Sequence, residues 1–323
     1  MNYQVAHYSL RGGRPSNQDA TAVAERGDAV LMVVADGLGG HRGGEIASEL
    51  LVNTFVHAFR NVRAADIANP SAFLALTILQ AHRMIVEQGK THRPPLEPRT
   101  TCVACLVQRG YAYWAHVGDS RLYHLRLNSI IARTEDHTTL EQLRRDGLVS
   151  ENEMGAHPSK GHLLKCVGGP NKPSITVGEE TLLLKGDELL LCSDGVWEAL
   201  SNEEIAHCMS RKVLDEGLEE MLLNAERKMG ENCDNISAVG FRWQEARTQA
   251  LPLQGNPQLQ VDEKSLREGA GRLAANRTSA KNDKTKDKPG TPKQAKAKDK
   301  DKPKSLEHRI QELEDYINRF DTK

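Results

Sequence analysis

Aspartates placed at the ends of predicted strands are the residues of this sequence best suited to chemistry. Four of them share that context: Asp36, Asp119, Asp194 and Asp234. Carboxylates gathered at one edge of a sheet would repel one another unless a cation neutralised them. Oxygen ligands without a His or Cys pattern favour Mg²⁺ or Mn²⁺ over Zn²⁺, and two such ions can activate a water for attack on a phosphoryl group. The sequence alone leaves another interpretation open, in which these are four unrelated turn residues.

Asp36 ends the apolar run 29–35 and is followed at once by a cluster of glycines. A run of this length bounded by glycines indicates a buried strand, and an unpaired carboxylate at its end would be costly. Asp36 therefore needs a partner. A cation is suited to that role, and Gly37 lets a backbone carbonyl approach as a further ligand. Capping of a helix predicted over residues 43–59 explains the same aspartate equally well.

The loop at residues 11–19 carries a second candidate group, the guanidinium of Arg14. Its content of Gly, Pro, Ser and Asn is typical of a loop. An arginine beside a metal site suits a phosphate oxygen, because its planar fork matches tetrahedral oxyanions. A solvated arginine is the more common case in a loop, so both interpretations of Arg14 remain open.

Hydrophobic periodicity predicts the elements that would position these groups. Strands are expected at residues 3–9, 20–25, 29–35, 101–108, 111–117, 121–126, 188–192 and 236–243. Helices are expected at residues 43–59, 71–87, 138–147, 202–210 and 213–229. The polar stretch 147–169 is long for a connection, and such loops are usually functional or mobile.

Composition limits the class of protein. The 323 residues carry a formal net charge of −1, which argues against a dedicated nucleic-acid binder, so no nucleic-acid partner is expected. No stretch approaches the roughly 18 apolar residues of a membrane span, and the N-terminus lacks a signal-peptide core, so the cytoplasm is expected. The six cysteines fit reduced core residues. Cys102 and Cys105 would face opposite sides of one strand, which favours core thiols over a zinc or redox pair.

Short motifs follow one another in a fixed order along residues 1–243. They are Arg14-x-x-Asn17-Gln18-Asp19, Val34-Ala35-Asp36-Gly37-Leu38-Gly39-Gly40-His41, Arg99-Thr100-Thr101, His116-Val117-Gly118-Asp119-Ser120-Arg121, Glu135-Asp136-His137, His157-Pro158, Leu191-Cys192-Ser193-Asp194-Gly195 and Asp234-Asn235-Ile236-Ser237. Each motif is a weak signal by itself, whereas the ordered set is a strong one. This set closely resembles the bacterial branch of the metal-dependent type-2C (PPM) Ser/Thr protein phosphatase family.

The resemblance implies an α+β fold, a β-sandwich of two antiparallel sheets flanked by helix pairs. It also implies two core ions, Mn²⁺ or Mg²⁺, with the third, weaker ion found in bacterial members. Asp36 would bridge the two core ions, and the Gly37 carbonyl would bind one of them. Asp194 and Asp234 would be ligands of the other.

The resemblance assigns roles to further groups. Asp19 would hold metal-bound water, and Asp119 would bind the third ion. Arg14 would hold the substrate phosphate, so that Arg14, Asp36 and Asp194 would be the catalytic residues. The polar stretch 147–169 would be a flap beside the site, where substrates are selected.

The implied activity is hydrolysis of phosphoserine and phosphothreonine in proteins by a metal-bridging water, without a phosphoenzyme, in opposition to a Ser/Thr kinase. The alternative is a phosphoprotein-binding adaptor whose C-terminal helix docks a partner, with catalysis secondary. Two residues depart from the family pattern. Leu38 stands where many eukaryotic members have a His proposed as general acid. Gln18 replaces a common Glu, which predicts weaker metal binding with activity retained.

The composition changes after Trp243. Residues 244–304 have few apolar side chains and no periodicity, which predicts a disordered linker rich in Lys, Asp and Pro. Residues 305–321 are predicted to form an amphipathic helix, because apolar residues recur there at a 4-3-4-3 spacing: Leu306, Ile310, Leu313, Ile317 and Phe320. A helix of about two heptads is marginal in water, so we expect it to dock on a protein surface.

Overall fold

The computed structural model describes residues 1–38, 43–64, 66–150 and 163–245. The strands are β1 (Tyr3–Leu10), β2 (Asp19–Arg26), β3 (Ala29–Asp36), β4 (Arg99–Thr100), β5 (Cys102–Gln108), β6 (Tyr111–Val117), β7 (Arg121–Arg126), β8 (Ser129–Arg133), β9 (Val167–Gly168), β10 (Thr176–Val177), β11 (Thr181–Leu182), β12 (Glu188–Cys192) and β13 (Ile236–Trp243). The helices are α1 (Gly44–Arg60), α2 (Pro70–Thr91), α3 (Thr139–Arg145), α4 (Asp194–Trp197), α5 (Asn202–Met209) and α6 (Leu214–Met229).

Two antiparallel sheets form the centre of the fold. One has the strand order β1-β13-β12-β7-β8, and the other has the order β10-β6-β5-β3-β2 with β11 also paired to β6. A small pair, β4 with β9, forms a separate two-stranded sheet whose Thr100 is bridged to Gly37 at the end of β3. The predicted α+β sandwich is therefore confirmed.

Three apolar layers hold the sheets and helices together. Strand β3 is apolar throughout because both of its faces are buried. Val30, Met32 and Val34 pack between the two sheets, while Leu31 and Val33 pack with side chains of α1 and α2. A third layer lies between the other sheet and helices α4, α5 and α6. A strand buried on both faces reads as a continuous hydrophobic run, so β3 is anchored from both sides up to its last residue.

The start of α1 decides between the two interpretations of Asp36. The residue before the helix is Gly43, with φ of 97°, and no side chain caps the helix there. The interpretation of Asp36 as a helix cap is therefore wrong. Glycine suits that position because a side chain would be strained at positive φ.

The sequence prediction missed β8, which pairs with β7. The two strands are joined at Leu127 and Asn128, whose φ angles of 50° and 59° form a tight hairpin turn. Residues of β8 are largely exposed, so the strand lacks the apolar alternation by which a strand is recognised.

Five of the six cysteines are buried, as predicted, whereas Cys166 is partly exposed. Cys102 lies in the layer against α1 and α2, whereas Cys105 lies between the sheets, and all six cysteines are free thiols. Among the described residues, no helix is long and apolar enough to cross a membrane. The predicted linker beyond Glu245, the C-terminal helix, His41, and the part of the flap at 151–162 lie outside the described residues.

Candidate active site

Five aspartates from separate parts of the chain meet at one end of the sandwich. Asp36 ends β3 and is paired in register with Asp19, the first residue of β2. Asp119 follows β6 in the turn to β7, Asp194 begins α4 directly after β12, and Asp234 precedes β13. Burial raises the pKa of Asp36 well above its usual range, and repulsion from Asp19, Asp119 and Asp234 raises it further. Burial and the charges of Asp36 and Asp119 do the same for Asp194.

The surroundings of Asp19 show that the carboxylate oxygens of the cluster need a proton or a cation as a partner. Burial raises its pKa to about 6, although Ser193 and other groups donate hydrogen bonds that oppose the shift. The Ser193 hydroxyl donates to Oδ2 at 2.7 Å, while Oδ1 is buried without a hydrogen-bond partner among the described residues. Asp36 could serve as that partner only by carrying a proton, because two carboxylates do not hydrogen-bond. A shared proton or a bound cation satisfies these oxygens.

The donor set fits a hard divalent cation. The clustered side chains offer oxygen atoms only, the ligands that Mg²⁺ and Mn²⁺ prefer. At Gly37 a Cβ would lie 2.4 Å from the Gly44 carbonyl oxygen and 2.5 Å from that of Gln18, so only glycine fits between these backbone carbonyls directly after Asp36. Within the part of the chain that the structure describes, no three His, Cys, Asp or Glu side chains already stand close enough to hold one ion. The described residues therefore bring the carboxylates into one cluster without arranging them around a single point.

Arg14 lies at the rim of this cluster. Its Nη2 donates to Asp234 Oδ2 at 2.6 Å, with 55% of the arginine side chain exposed. The hydrogen bond to Asp234 raises the pKa of Arg14, with smaller contributions from Asp194 and Asp36. The guanidinium is therefore a cation beside the carboxylates that can still reach solvent and an incoming anion.

Asn235 holds the Arg14 loop in place, a role that the sequence analysis did not assign. Its Oδ1 accepts the backbone N–H of Gln18 at 2.8 Å. Its Nδ2 donates to the carbonyls of Arg11 and Ser16 at 2.8 and 3.0 Å. The sequence signal for this role is the position of Asn235 directly after Asp234. One short segment thus supplies both an acid of the cluster and the side chain that supports the Arg14 loop.

Thr100 and Thr101 fix the end of β3. Thr101 Oγ1 accepts the backbone N–H of Asp36 at 2.9 Å and lies 2.6 Å from the Ser120 hydroxyl. Thr100 Oγ1 donates to the Asp36 carbonyl at 2.8 Å. The backbone of Asp36 is thus tied to the segment that carries Asp119, and these hydroxyls also went unassigned in the sequence analysis.

Comparison with known proteins decides the family. The family model described as protein phosphatase 2C matches residues 8–230. The chain belongs to this family. The serine/threonine phosphatase stp of Listeria welshimeri is 32% identical over 232 residues, which cover 70% of this chain and 90% of that relative.

Solved structures agree with this assignment. The serine/threonine phosphatase of S. agalactiae matches with 28% identity and a TM-score of 0.68, covering 76% of this chain and 100% of that one. The catalytic domain of the serine/threonine protein phosphatase PstP in complex with two manganese ions matches with 28% identity and a TM-score of 0.62, covering 75% of this chain and 99% of that one. This 2C-type phosphatase is therefore a metal-dependent enzyme that acts on phosphoserine and phosphothreonine in proteins.

The two departures from the family pattern take defined places in this 2C phosphatase. Gln18 Nε2 donates to Glu45 Oε2 at 2.9 Å, so its amide is directed to the first turn of α1. The backbone N–H of Leu38 donates to the Arg99 carbonyl at 3.0 Å, and its side chain has no proton to give. The weaker metal binding expected from Gln18 stays a prediction.

Proposed function

We propose that this phosphatase uses two core divalent cations, Mn²⁺ or Mg²⁺, held by Asp36, Asp194, Asp234 and the Gly37 carbonyl. Asp19 would hold water of the metal site through the oxygen that lacks a partner among the described residues, and Asp119 would hold a third ion. The observation that supports this most is the burial of the clustered carboxylates together with their mutual repulsion, which raises the pKa of Asp36 and of Asp194 well above the usual range. Cations would remove that repulsion.

Cations bound there would supply a water acidic enough to attack phosphorus at neutral pH. The protein's own part is to bind and orient the phosphate. Arg14 would exchange Asp234 for two phosphate oxygens, since its side chain is half exposed and its fork suits bidentate binding. Leu38 offers no general acid, so the leaving serine or threonine would take its proton from water.

We further propose that residues 1–243 form the phosphatase domain, that residues 244–304 are a disordered linker, and that residues 305–321 form a helix that docks a protein surface. The counterpart enzyme would be a Ser/Thr kinase, because only a phosphorylated protein is a substrate. The cytoplasm is the proposed compartment. It is supported by the six free thiols, which suit a reducing environment.

Hydrolysis of a phosphothreonine peptide tests the metal site directly. The full chain is assayed with Mn²⁺, with a chelator, and as the Asp194→Ala variant. Asp28→Ala is the matched control, because this exposed aspartate in the β2–β3 turn pairs with the N-terminal amine, at the opposite end of the hairpin from Asp19 and Asp36.

We expect turnover with Mn²⁺, a loss with chelator, and a fall of about a hundredfold or more in kcat for Asp194→Ala, because a charge-stabilising group is removed. Asp28→Ala should match the unmodified chain. Equal rates with Mn²⁺, with chelator and in Asp194→Ala would reject the proposed metal site.

A further inference from the structure

Trp197 connects two of the acidic segments. Its Nε1–H donates to the Asp119 carbonyl oxygen at 3.0 Å, and the residue is the last of α4, the short helix that begins with Asp194. The indole is 8% exposed, so this hydrogen bond is shielded from water. The carbonyl that it holds belongs to the residue whose carboxylate faces Asp36 and Asp194.

A buried arginine lies on the face of the same indole. The Arg121 guanidinium carbon is 3.8 Å from the ring centroid of Trp197. Its Nε and Nη2 donate to the two oxygens of Asp136 at 2.9 and 2.6 Å, and Nη1 donates to Tyr123 Oη at 2.9 Å. Planar stacking and a bidentate pair together allow one orientation of the guanidinium, and so one position of the ring against it.

The free-energy cost of burying the Arg121–Asp136 ion pair favours a role for the pair other than stabilising the fold. The side chains of Arg121 and Asp136 are 4% and 1% exposed, and apolar residues in place of such a buried pair are often neutral or stabilising. Asp136 also balances the charge of the guanidinium near the acidic cluster, because Arg121 lies only two residues after Asp119. An unpaired guanidinium there would be an internal cation competing for the carboxylates. Asp136 neutralises it.

The opposite side of the Asp119 turn is already fixed by other contacts. Gly118 has φ of 107°, donates its N–H to His137 Nδ1 at 3.2 Å, and accepts from the His137 N–H at 2.9 Å. The Ser120 hydroxyl is tied to Thr101. The Ser120 contact holds the turn to the β3 side of the site, the His137 contacts hold it to the segment before α3, and the indole of Trp197 holds it to α4.

We propose that Trp197 is a positioning residue, which keeps Asp119 and Asp194 at the mutual placement that cation binding requires, and that the Arg121–Asp136 pair orients it. The inference rests on the proposed use of these aspartates as metal ligands. Trp197 and Arg121 themselves act through the acids and do not touch substrate.

The test is Trp197→Phe in the full chain, which keeps an aromatic ring over Arg121 and removes the N–H donor. Trp243→Phe is the matched control, because Trp243 is similarly buried at 6% exposure and ends β13, at the other end of that strand from Asp234. Mn²⁺ binding is measured from the EPR signal of free Mn²⁺, alongside thermal unfolding. Phosphopeptide hydrolysis is then followed as a function of Mn²⁺ concentration.

We expect Trp197→Phe to weaken Mn²⁺ binding about tenfold or more, as loss of a group that orients a metal ligand does. The Mn²⁺ concentration for half-maximal rate should rise by a similar factor, and turnover should recover at high Mn²⁺. Trp243→Phe should lower the unfolding temperature without changing Mn²⁺ binding. A Trp197→Phe variant that loses stability but binds Mn²⁺ as tightly as the unmodified chain would make Trp197 a packing residue and reject the proposal.

Asp136→Asn keeps the test decisive if Trp197→Phe does not fold. It preserves shape and one acceptor for Arg121 while removing the neutralising charge, so Mn²⁺ binding should again weaken. Unchanged binding would overturn the role of the pair. Absence of Mn²⁺-dependent hydrolysis in the unmodified chain would instead count against the proposed function, and the EPR measurement would still report on positioning.

Discussion

Asp19 and Asp36 define the chemistry of the site at the scale of single residues. They stand opposite each other in the β2–β3 register, and one oxygen of Asp19 is buried without a partner in the described part of the chain. Two adjacent carboxyls of this kind hold either a proton or a cation. The protonation of the metal-free protein and its metal binding should therefore be competing equilibria.

Asp19 and Asp119 should make a contribution to the stability of the chelator-treated protein that falls as pH rises from about 4 to about 7, opposite in sign to that of the buried histidines His82, His116 and His137, whose pKa is lowered by burial. Burial raises the pKa of Asp19 to about 6 and that of Asp119 to about 7, whereas both groups titrate near pH 4 in the unfolded chain. In that interval the folded state binds more protons than the unfolded state, so deprotonation favours unfolding. Thermal unfolding in buffers from pH 4 to pH 8 measures this.

Saturating Mn²⁺ should reverse the trend over the same interval. Protons then displace the stabilising cation, so acidification lowers the unfolding temperature of the metal-bound protein. Identical pH profiles with chelator and with Mn²⁺ would mean that the carboxylates do not bind the cation.

Arg14 gives a second prediction at this scale. Arg14→Ala should lower kcat/KM for a phosphothreonine peptide by roughly 10²–10³, as loss of a group that stabilises transition-state charge does. Mn²⁺ binding should be retained or tightened, because Asp234 loses a competing cation. Arg211→Ala is the control, since Arg211 forms a comparable partly exposed pair with Glu220 away from the site. Weakened Mn²⁺ binding in Arg14→Ala would contradict this account.

At the scale of elements, the positions of the acidic residues are fixed because buried hydroxyl groups hydrogen-bond the strand ends that carry them. Strand β3 is apolar on both faces and cannot shift in register without exposing one of them. Its last residue is then held by Thr100 and Thr101 from the neighbouring segment. The sheet therefore fixes the backbone of Asp36, and the turn that carries Asp119 is fixed through Ser120.

Thr101→Val should test this connection. The substitution preserves shape and removes the acceptor of the Asp36 N–H and the partner of Ser120, leaving buried polar groups unpaired. We expect the free energy of unfolding to fall by about 1–3 kcal/mol, with weaker Mn²⁺ binding.

Thr77→Val is the matched control for that variant. Thr77 is also buried, but its hydroxyl donates to the Phe73 carbonyl within α2, one turn earlier in the same helix. We expect a smaller loss of stability in denaturant titrations. Mn²⁺ binding, measured separately, should be unchanged. A Thr101→Val variant that behaves like Thr77→Val would show that the hydroxyl has no part in placing Asp36.

At the scale of the whole molecule, the described residues form two central sheets, each covered on its outer face by helices. The acidic cluster lies where ends of both sheets meet, so the proposed metal site takes its residues from both halves of the sandwich. The predicted helix at 305–321 carries no residue of this cluster.

Replacing Leu313 and Ile317 together by Glu should therefore leave phosphopeptide turnover within about twofold, because neither belongs to the site. Recovery of a partner protein with the full chain should fall, since charges would interrupt the apolar stripe. Affinity recovery and peptide hydrolysis on the same preparations separate these effects. Exchange of Glu312 and Glu314, which fall outside the apolar stripe, for Gln is the control for altered charge. A large loss of turnover in the Leu313 and Ile317 double variant would assign the helix to catalysis.

Local sequence pattern is enough to identify the residue types that could bind cations and the strand ends on which they sit. An acid at the end of a buried strand needs a proton, a cation or another partner, which is why the pattern singles out Asp36, Asp119 and Asp194 after strands and Asp234 before one. Periodicity locates the long helices and apolar strands for the same reason, since burial on a face leaves a repeating pattern. The exposed strand β8 leaves no such pattern and was missed.

Which groups touch is set by the packing of distant segments. Asp19 and Ser193 are 174 positions apart in the chain, yet their side chains hydrogen-bond, and the pairing of Trp197 with Asp119 likewise depends on the packing of α4. The same packing leaves Asp36 without a helix to cap. Such contacts arise from how sheets stack and register, which local patterns do not encode, because one residue type suits many partners and only the fold selects among them.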